Sequence, residues 1–371
     1  MEPIVYLTLP PKCRITAVSD IHTYHELLLN MLERNKYDPG SDYLIIDGDI
    51  LEHGKNNIST LRSVMKLCGN ERAYAIMGNN DVMTVRMAFT DDYDKFAERK
   101  TRFPNSTYLE MAASLGISAD DLTAENLDSQ RKRINTAYAL ELEFLSSMPT
   151  AVVTDDHIFV HAGIENRPDW ENTENRFAMA HKYWMRESHC SDKTVVVGHI
   201  PTNNYKESNN TNLPIIDLQR RMISIDGGMG VRWASQINLL NITKNGCEYS
   251  YDVFWDTPYE KRAVLKDYVS NENPVYIDVE NIDLTLISEE NGISLLRNNI
   301  TGETGWMLTE QVFGDKAHPK VWQCLSASPD LKEGEIISLV GTIRDYSFII
   351  NSSGQIGWIK SSLISDEKVT Y

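Results

Sequence analysis

Short apolar runs punctuate the first two-thirds of the chain, and each stops at a polar residue capable of chemistry. Arg14–Ser19 (RITAVS) leads into Asp20, Tyr43–Ile46 into Asp47-Gly48-Asp49, and Ala73–Met77 into Gly78-Asn79-Asn80-Asp81. Farther on, His157–Val160 leads into His161-Ala162-Gly163, and Thr194–Val197 into Gly198-His199. The runs are short, β-branched or aromatic, and bounded by Gly or Asp, which predicts buried strands. Ligands of layered α/β structures bind just past the carboxyl ends of strands. The polar residues at these strand ends are therefore candidates for one shared site.

From about 85 to 148 the texture changes. Ala, Leu, Glu, Lys and Arg dominate, Ser118-Ala119-Asp120-Asp121 has the form of a capping box, and Ala124–Ser147 carries apolar residues at helical spacing. This predicts a helical insertion that ends at Pro149, inside a first domain of residues 1–255. Residues 256–274 are polar and read as a linker with room for a short helix. Beyond them, Gly302-Glu303-Thr304-Gly305-Trp306 is echoed by Gly354-Gln355-Ile356-Gly357-Trp358, an offset of 52 residues that also aligns Leu284-Thr285-Leu286 with Ile336-Ile337-Ser338. Short alternating strands around a G-x-x-G-W turn predict two small tandem β-barrels, over 275–317 and 320–371. They resemble bacterial SH3-like modules. Such modules bind peptides through aromatic grooves, so Trp306 and Trp358 line either a peptide groove or the barrel core, and an intramolecular contact is the other role open to the repeats.

Composition narrows the partners. The chain has 371 residues, room for two or three domains. A formal net charge of −17 argues against a nucleic-acid backbone or an anionic membrane. Hydrophobic residues at 42% and charged residues at 24% are the balance of a folded, soluble protein. No apolar run is long enough to span a bilayer, and Met1-Glu2-Pro3-Ile4-Val5 lacks the start of a secretory signal, so a cytoplasmic location is expected. Cys13, Cys68, Cys190, Cys247 and Cys324 are odd in number and form no C-x-x-C pair. They read as reduced thiols rather than a zinc knot or a disulfide framework.

The strand-end set comprises Asp20, His22, Asp49, Asn79, His161 and His199. Three oxygen donors and three imidazoles suit a pair of divalent transition metals bridged by one carboxylate, and do not suit sodium, potassium or calcium. The order D-x-H, G-D-x-x-x-x-G (Gly48–Gly54), G-N-x-D (Gly78–Asp81), H-A-G (His161–Gly163) and G-H-x-P-T (Gly198–Thr202) resembles the calcineurin-like metallophosphoesterases, specifically bacterial members of the phosphoprotein phosphatase branch. Tyr183-Trp184-Met185-Arg186-Glu187 and Ile223-Ser224-Ile225-Asp226-Gly227-Gly228 are similar to two further segments of that branch. The resemblance implies an α/β fold, a four-layer sandwich of two β-sheets flanked by helices, with metals at the sheet ends.

It further implies that Asp20 and His22 bind a first metal, that Asp49 bridges, and that Asn79, His161 and His199 bind the second. Manganese is the expected ion, with iron and zinc as alternatives. Arg186 would hold the phosphoryl oxygens, beside Asn79, and a hydroxide between the metals would be the nucleophile.

The sequence departs from the family where the family keeps its general acid. Asn80 stands in place of the histidine of G-N-H-[DE], and an amide cannot supply that proton. Glu52 and His53 replace the aspartate and arginine of the second motif. His53 is therefore a candidate for phosphate binding or proton donation, and His25 is a further candidate. Losing general acid catalysis costs about 10²–10⁴-fold, most for poor leaving groups. The leading expectation is a hydrolase resembling serine/threonine or dual-specificity protein phosphatases. The alternatives are a dinucleoside polyphosphate hydrolase or phosphodiesterase and, in another class, a weakly active phosphate-binding scaffold. The substrate is a phosphorylated protein or peptide, or a nucleotide.

Overall fold

The computed structural model describes residues 1, 3–205, 210–271, 274–278, 281–321 and 325–369; Cys324 lies outside them. Two compact units are present. The first comprises Met1–Ile200, Pro214–Val231 and Ile237–Asp256, and the second Pro201–Leu213, Arg232–Gln236 and Thr257–Tyr371.

The first unit is mixed α/β. It opens with β1 (Ile4–Tyr6), β2 (Lys12–Val18), α1 (His25–Arg34), β3 (Tyr43–Asp47), α2 (Asn57–Cys68) and β4 (Ala73–Ile76). Five helices follow without a strand: α3 (Asp81–Phe89), α4 (Tyr93–Arg102), α5 (Thr107–Ser114), α6 (Leu127–Ala137) and α7 (Ala139–Ser147). Then come β5 (Ala151–Val153), β6 (His157–Val160), α8 (Asn175–Ala180), β7 (Thr194–Val197), β8 (Ile215–Asp217), β9 (Met222–Ser224), β10 (Ile237–Asn245) and β11 (Glu248–Asp256). The Ser118–Asp121 capping box forms with both reciprocal bonds, but it caps a single 3₁₀ turn at Ala119–Asp121. The helical pattern after Ala124 is broken at Tyr138, where α6 gives way to α7.

Two sheets carry the unit, one ordered β1-β5-β6-β7-β9-β8 and one ordered β11-β10-β2-β3-β4. Period-two alternation sorts their side chains between two cores. Ile15, Ala17, Ile45 and Ile76 from one sheet pack with Val152, Phe159, Val196 and Ile223 from the other. The intervening Val18, Leu44, Ile46, Ala73 and Ala75 face a second core with α1, α2 and the five-helix segment. A strand buried on both faces reads as a continuous apolar run, as these do. Parallel pairing then sets the direction. β2-β3-β4 run parallel, as do β6-β7-β9, so their carboxyl ends within each sheet lie along one edge.

The second unit contains β12 (Glu260–Val264), β13 (Leu284–Glu290), β14 (Ile293–Asn298), β15 (Thr304–Leu308), β16 (Phe313–Asp315), β17 (His318–Lys320), β18 (Ile336–Ile343), β19 (Tyr346–Ile350), β20 (Ile356–Lys360) and β21 (Ile364–Lys368). The sheets are β20-β19-β18-β12-β21, β13-β14-β15 and β16-β17. The 52-residue echo is visible as the same meander twice, β13-β14-β15 and β18-β19-β20, each with a register shift in its first hairpin. Gly302 and Gly354 take matching positive φ values of 77° and 78°. Trp358 is core, its ring stacked 4.6 Å from Phe348, whereas Trp306 is half-buried near Tyr346. The stretch 256–274 differs from the linker its polarity predicts, because it contributes β12, which pairs with both β18 and β21. Its mostly half-buried, charged residues (Glu260, Lys261, Arg262) give a polar composition that hides a central strand. The described residues of 201–213, and residues 232–236, also fold with this unit. Asn210 exchanges hydrogen bonds with the Ile356 backbone, and Asn212 donates to the Ala234 carbonyl at 2.7 Å. Cys13, Cys68, Cys190 and Cys247 are free thiols, and no helix among the described residues is long and apolar enough to cross a membrane.

Candidate metal centre

Each turn leaving a carboxyl strand end in the first unit delivers a polar side chain. Two groups of carboxylate and imidazole atoms converge there. Asp20, His22 and Asp49 form one, Asp49, His161 and His199 the other, with the potential ligand atoms within 4.8 Å of one another. Asp49 is common to both. His22 Nε2 lies 3.9 Å from Asp20 Oδ1 and 3.9 Å from Asp49 Oδ2, and His161 Nε2 lies 3.4 Å from Asp49 Oδ2. Asn79 brings its Oδ1 to 3.3 Å from His161 Nε2.

The backbone aims these groups at a cost. Asp20, His22, Asp49 and His199 all adopt left-handed φ angles, between 38° and 69°. Non-glycine residues avoid that region, and such strain gathers at functional sites. Two glycines show how tight the turns are. A Cβ on Gly198 would sit 2.3 Å from Asp20 Oδ2, and one on Gly78 would sit 2.2 Å from the Asp49 amide. These two glycines are thus required by the close passage of a neighbouring carboxylate or its backbone, while a Cβ on Gly48 would meet the His161 ring and one on Gly163 the Trp184 ring.

Hydrogen bonds fix the imidazoles. His22 Nδ1 bonds to the Leu51 carbonyl and His161 Nδ1 to the Asp47 carbonyl, both at 2.8 Å. Nδ1 must be the donor, which leaves each Nε2 with a free lone pair facing the carboxylates. His199 Nε2 is buried without a hydrogen-bond partner, and its backbone N–H donates to Asp20 Oδ2 at 3.0 Å. An orphaned imidazole nitrogen beside two carboxylates is what a cation site leaves when described by protein atoms alone.

Electrostatics divide the set. Burial, then the Asp226 charge, raises the Asp20 pKa. Burial also pushes Asp49 up, but His161, His22 and His199 together outweigh it and hold this carboxylate well below the usual range. Burial opposes protonation of His161, yet Asp49 draws its pKa upward. Burial lowers His22 to about 4 and His199 to about 3. Neutral His22 and His199 and ionised Asp49 are the forms that bind metal, whereas burial favours the neutral acid at Asp20 and the Asp49 charge favours the imidazolium at His161, so a cation binding there would displace those protons.

The remaining candidates separate. Asn80 is in contact: its backbone N–H donates to Asp49 Oδ1 at 2.8 Å and its Nδ2 to Asp49 Oδ2 at 2.6 Å. His53 is exposed and meets His22 edge-on, ring centroids 4.8 Å apart, outside both donor groups. Arg186 is exposed, its guanidinium 4.8 Å from the Tyr183 ring centre. Its neighbour Trp184 is buried against Gly163 and donates to the Ile164 carbonyl at 2.7 Å, so this motif anchors the turn after His161 through the indole. His25 turns away; its Nδ1 bonds to Thr60 Oγ1 at 2.9 Å, which makes it a packing residue between α1 and α2.

Two acids carry roles that their sequence motifs did not reveal. Asp81 accepts from the Ile50 and Leu51 amides through Oδ1 and from the Gly78 amide through Oδ2, tying together the turns that hold Asp49 and Asn79. Glu52 accepts from the backbone and hydroxyl of Thr107 at the start of α5, so it fastens the five-helix segment to the same turn. Burial raises the Glu52 pKa from 4.5 to about 7. The folded value lies above the unfolded one, so folding takes up a proton between those pH values and stability falls as pH rises across that window. Glu52→Gln keeps an acceptor for Thr107 without the charge. It should flatten this slope and stabilise the protein by roughly 3 kcal/mol at about pH 8, with little change at about pH 4. Urea denaturation of both proteins at the two pH values measures it; an unchanged slope refutes the assignment.

The sequence model of the calcineurin-like phosphoesterase family matches residues 13–221, more than half of the chain. The symmetrical bis(5'-nucleosyl)-tetraphosphatase of Dechloromonas aromatica is 27% identical over 163 residues, 43% of this chain and 46% of that protein. Serine/threonine-protein phosphatase 2 of Salmonella typhimurium is 35% identical over 78 residues, 21% of this chain and 34% of that protein. The chain thus spans less than half the length of these relatives. Among solved structures, the cold-active protein-tyrosine phosphatase of a psychrophilic Shewanella aligns over 68% of this chain and 82% of its own, at 15% identity and a TM-score of 0.42.

Proposed function

Because the chain belongs to the calcineurin-like phosphoesterase family and is accordingly a hydrolase acting on phosphoric esters, we propose that its two donor groups hold a pair of divalent cations and that it acts on substrates whose leaving group departs without a proton. Asp20, His22 and Asp49 hold one ion; Asp49, Asn79, His161 and His199 hold the other. The donor set fits, since it combines an ionised shared carboxylate with imidazoles whose Nε2 atoms face inward. Manganese is the ion we propose to supply, because mixed oxygen and imidazole sites accept it. Bound there, such a pair contributes Lewis acidity toward phosphoryl oxygens and lowers the pKa of water.

The chain's own residues set the rest. Asp49 is held by both hydrogen bonds from Asn80, so its orientation is fixed before substrate arrives. Arg186 and His53 are the side chains offered to phosphoryl oxygens, Arg186 through its planar guanidinium. The observation that carries the leaving-group reading is the 2.6 Å bond from Asn80 Nδ2 to Asp49 Oδ2. An amide clamped to the bridging carboxylate occupies the position where relatives carry an acid, and it has no proton to give. Aryl esters and phosphoric anhydrides tolerate that loss; a serine phosphoester does not.

Manganese-loaded protein is assayed with p-nitrophenyl phosphate, a phosphoserine peptide and diadenosine tetraphosphate. The aryl ester should exceed the phosphoserine peptide by at least ~10²-fold in kcat/KM, and Asn80→His should narrow that gap by roughly tenfold or more. Equal rates on the two esters would sink the reading. Diadenosine tetraphosphate tests the nucleotide reading, which the tetraphosphatase relatives support, and absence of turnover on all three favours a phosphate-binding scaffold.

A further inference from the structure

The outer side of Asn79 and Asn80 opens into a cavity of about 480 Å³ that the metal centre does not account for. Four arginines line it: Arg86 on α3, Arg99 and Arg102 on α4, and Arg176 on α8. Glu98 is the one acid in that lining. The chain as a whole carries a net charge of −17, so this concentration of positive charge runs against the composition of the protein.

Among the described residues lining the cavity, Glu98 alone opposes it. None of the four guanidiniums forms an ion pair among the described residues, although nearby Asp91, Asp92 and Asp128 pair with Arg131 and Lys95. Arg99 Nη1 is buried without a hydrogen-bond partner. Partial burial, together with the charges of Arg99 and Arg176, lowers the pKa of Arg86, the expected mark of cations crowded against one another. Crowded, unpaired guanidiniums raise the energy of the empty protein, and an anion lying among them relieves it.

The placement gives the shape of that anion. α3 starts directly after Asn80, and Arg86 lies nearly two turns along it, about 9 Å from Asn80 in rise. Arg99 and Arg102 are three residues apart and so share a face of α4. The arginines therefore extend the site outward from Asn79 and Asn80 over a distance that one phosphoryl group does not cover. Guanidinium forks match phosphate oxygens two at a time, and a run of them matches a run of phosphates. The lining has one aromatic ring, Phe103, and the carbon stems of Met83 and Met179, a modest apolar contribution.

We propose that Arg86, Arg99, Arg102 and Arg176 form a subsite for a chain of phosphates, so that the substrate is a phosphoric anhydride extending beyond the phosphoryl group that reacts. The proposal rests on the hydrolase reading above and deepens it, since an anhydride also leaves without a proton.

Calorimetric titration tests it on the full chain with manganese in excess, using inorganic tripolyphosphate and, as the single-phosphate probe, orthophosphate. Wild type should bind tripolyphosphate at least about 30-fold more tightly than orthophosphate. Arg99→Gln/Arg176→Gln should lose at least about tenfold in tripolyphosphate affinity, with a shallower salt dependence. Equal affinities for the two anions in wild type, or a tripolyphosphate affinity that survives the double substitution, overturns the proposal. An acidic phosphopeptide whose binding falls in the variant while that of tripolyphosphate does not overturns it in favour of a peptide. Binding is read without turnover, so arginine-dependent tripolyphosphate binding in a protein inert toward all three assay substrates supports the subsite while refuting the leaving-group reading.

Discussion

Asp49→Asn should abolish metal-dependent hydrolysis, with kcat on p-nitrophenyl phosphate falling by at least about 10³-fold, or roughly 4 kcal/mol of barrier. Asp49 is the one side chain common to both donor groups, and the imidazoles of His22 and His161 face it at 3.9 and 3.4 Å. Removing its charge weakens both groups at once. Metal content should drop from a pair of ions per chain to at most one, as read by elemental analysis after gel filtration. The substitution preserves size and leaves an oxygen for the Asn80 amide, so the fold should persist and circular dichroism should match wild type. Retained turnover with retained metal would remove Asp49 from the centre of the reaction.

Asp81→Ala should cost stability more than any other single change near the site. The carboxylate is fully buried and accepts three backbone N–H groups, from Ile50, Leu51 and Gly78. Alanine orphans all three. At about 1–3 kcal/mol for each unsatisfied buried donor, a loss of roughly 3–9 kcal/mol is expected. The damage is also local, because two of those donors follow Asp49 and the third precedes Asn79. Manganese affinity should therefore fall even at temperatures where the protein remains folded. Asp81→Asn retains one acceptor oxygen and should lose about half as much. Denaturant titration with and without manganese separates the two effects; wild-type stability for Asp81→Ala would refute the role.

The contrast between Asp49 and Asp81 shows what a sequence discloses. The strand-end residues were legible because each motif is local: an apolar run, a glycine, a polar residue, read within a few positions. Geometry adds the reason for the glycines, namely the carboxylates, rings and backbone that pass where a Cβ would stand. Asp81 was visible as part of a motif, but its work depends on donors from two separate turns, and no spacing rule encodes that. The arginine cleft is further from view, since Arg86 and Arg176 are ninety residues apart in sequence and meet only through helix packing. His25 was misleading for a related reason. Proximity to His22 suggested shared chemistry, whereas being the first residue of α1 turns its ring toward Thr60. In the second unit, β12 escaped notice because a half-buried strand that starts Glu-Lys-Arg has the composition of a linker.

The provenance of the ligands across the two sheets has a consequence for how ions would come and go. Asp20, His22 and Asp49 all leave one sheet, while His161 and His199 leave the other, and the sheets are joined by the apolar contacts around Ile15, Ile45, Phe159 and Val196. On the proposed assignment, one cation would be held by side chains from a single sheet edge. Its companion would straddle the seam between the sheets, and its tenure would depend on the seam staying shut. The pair would be unequal in residence time, with the seam ion departing first under chelation and arriving last on reloading, and its return would be what locks the two halves of the sandwich together.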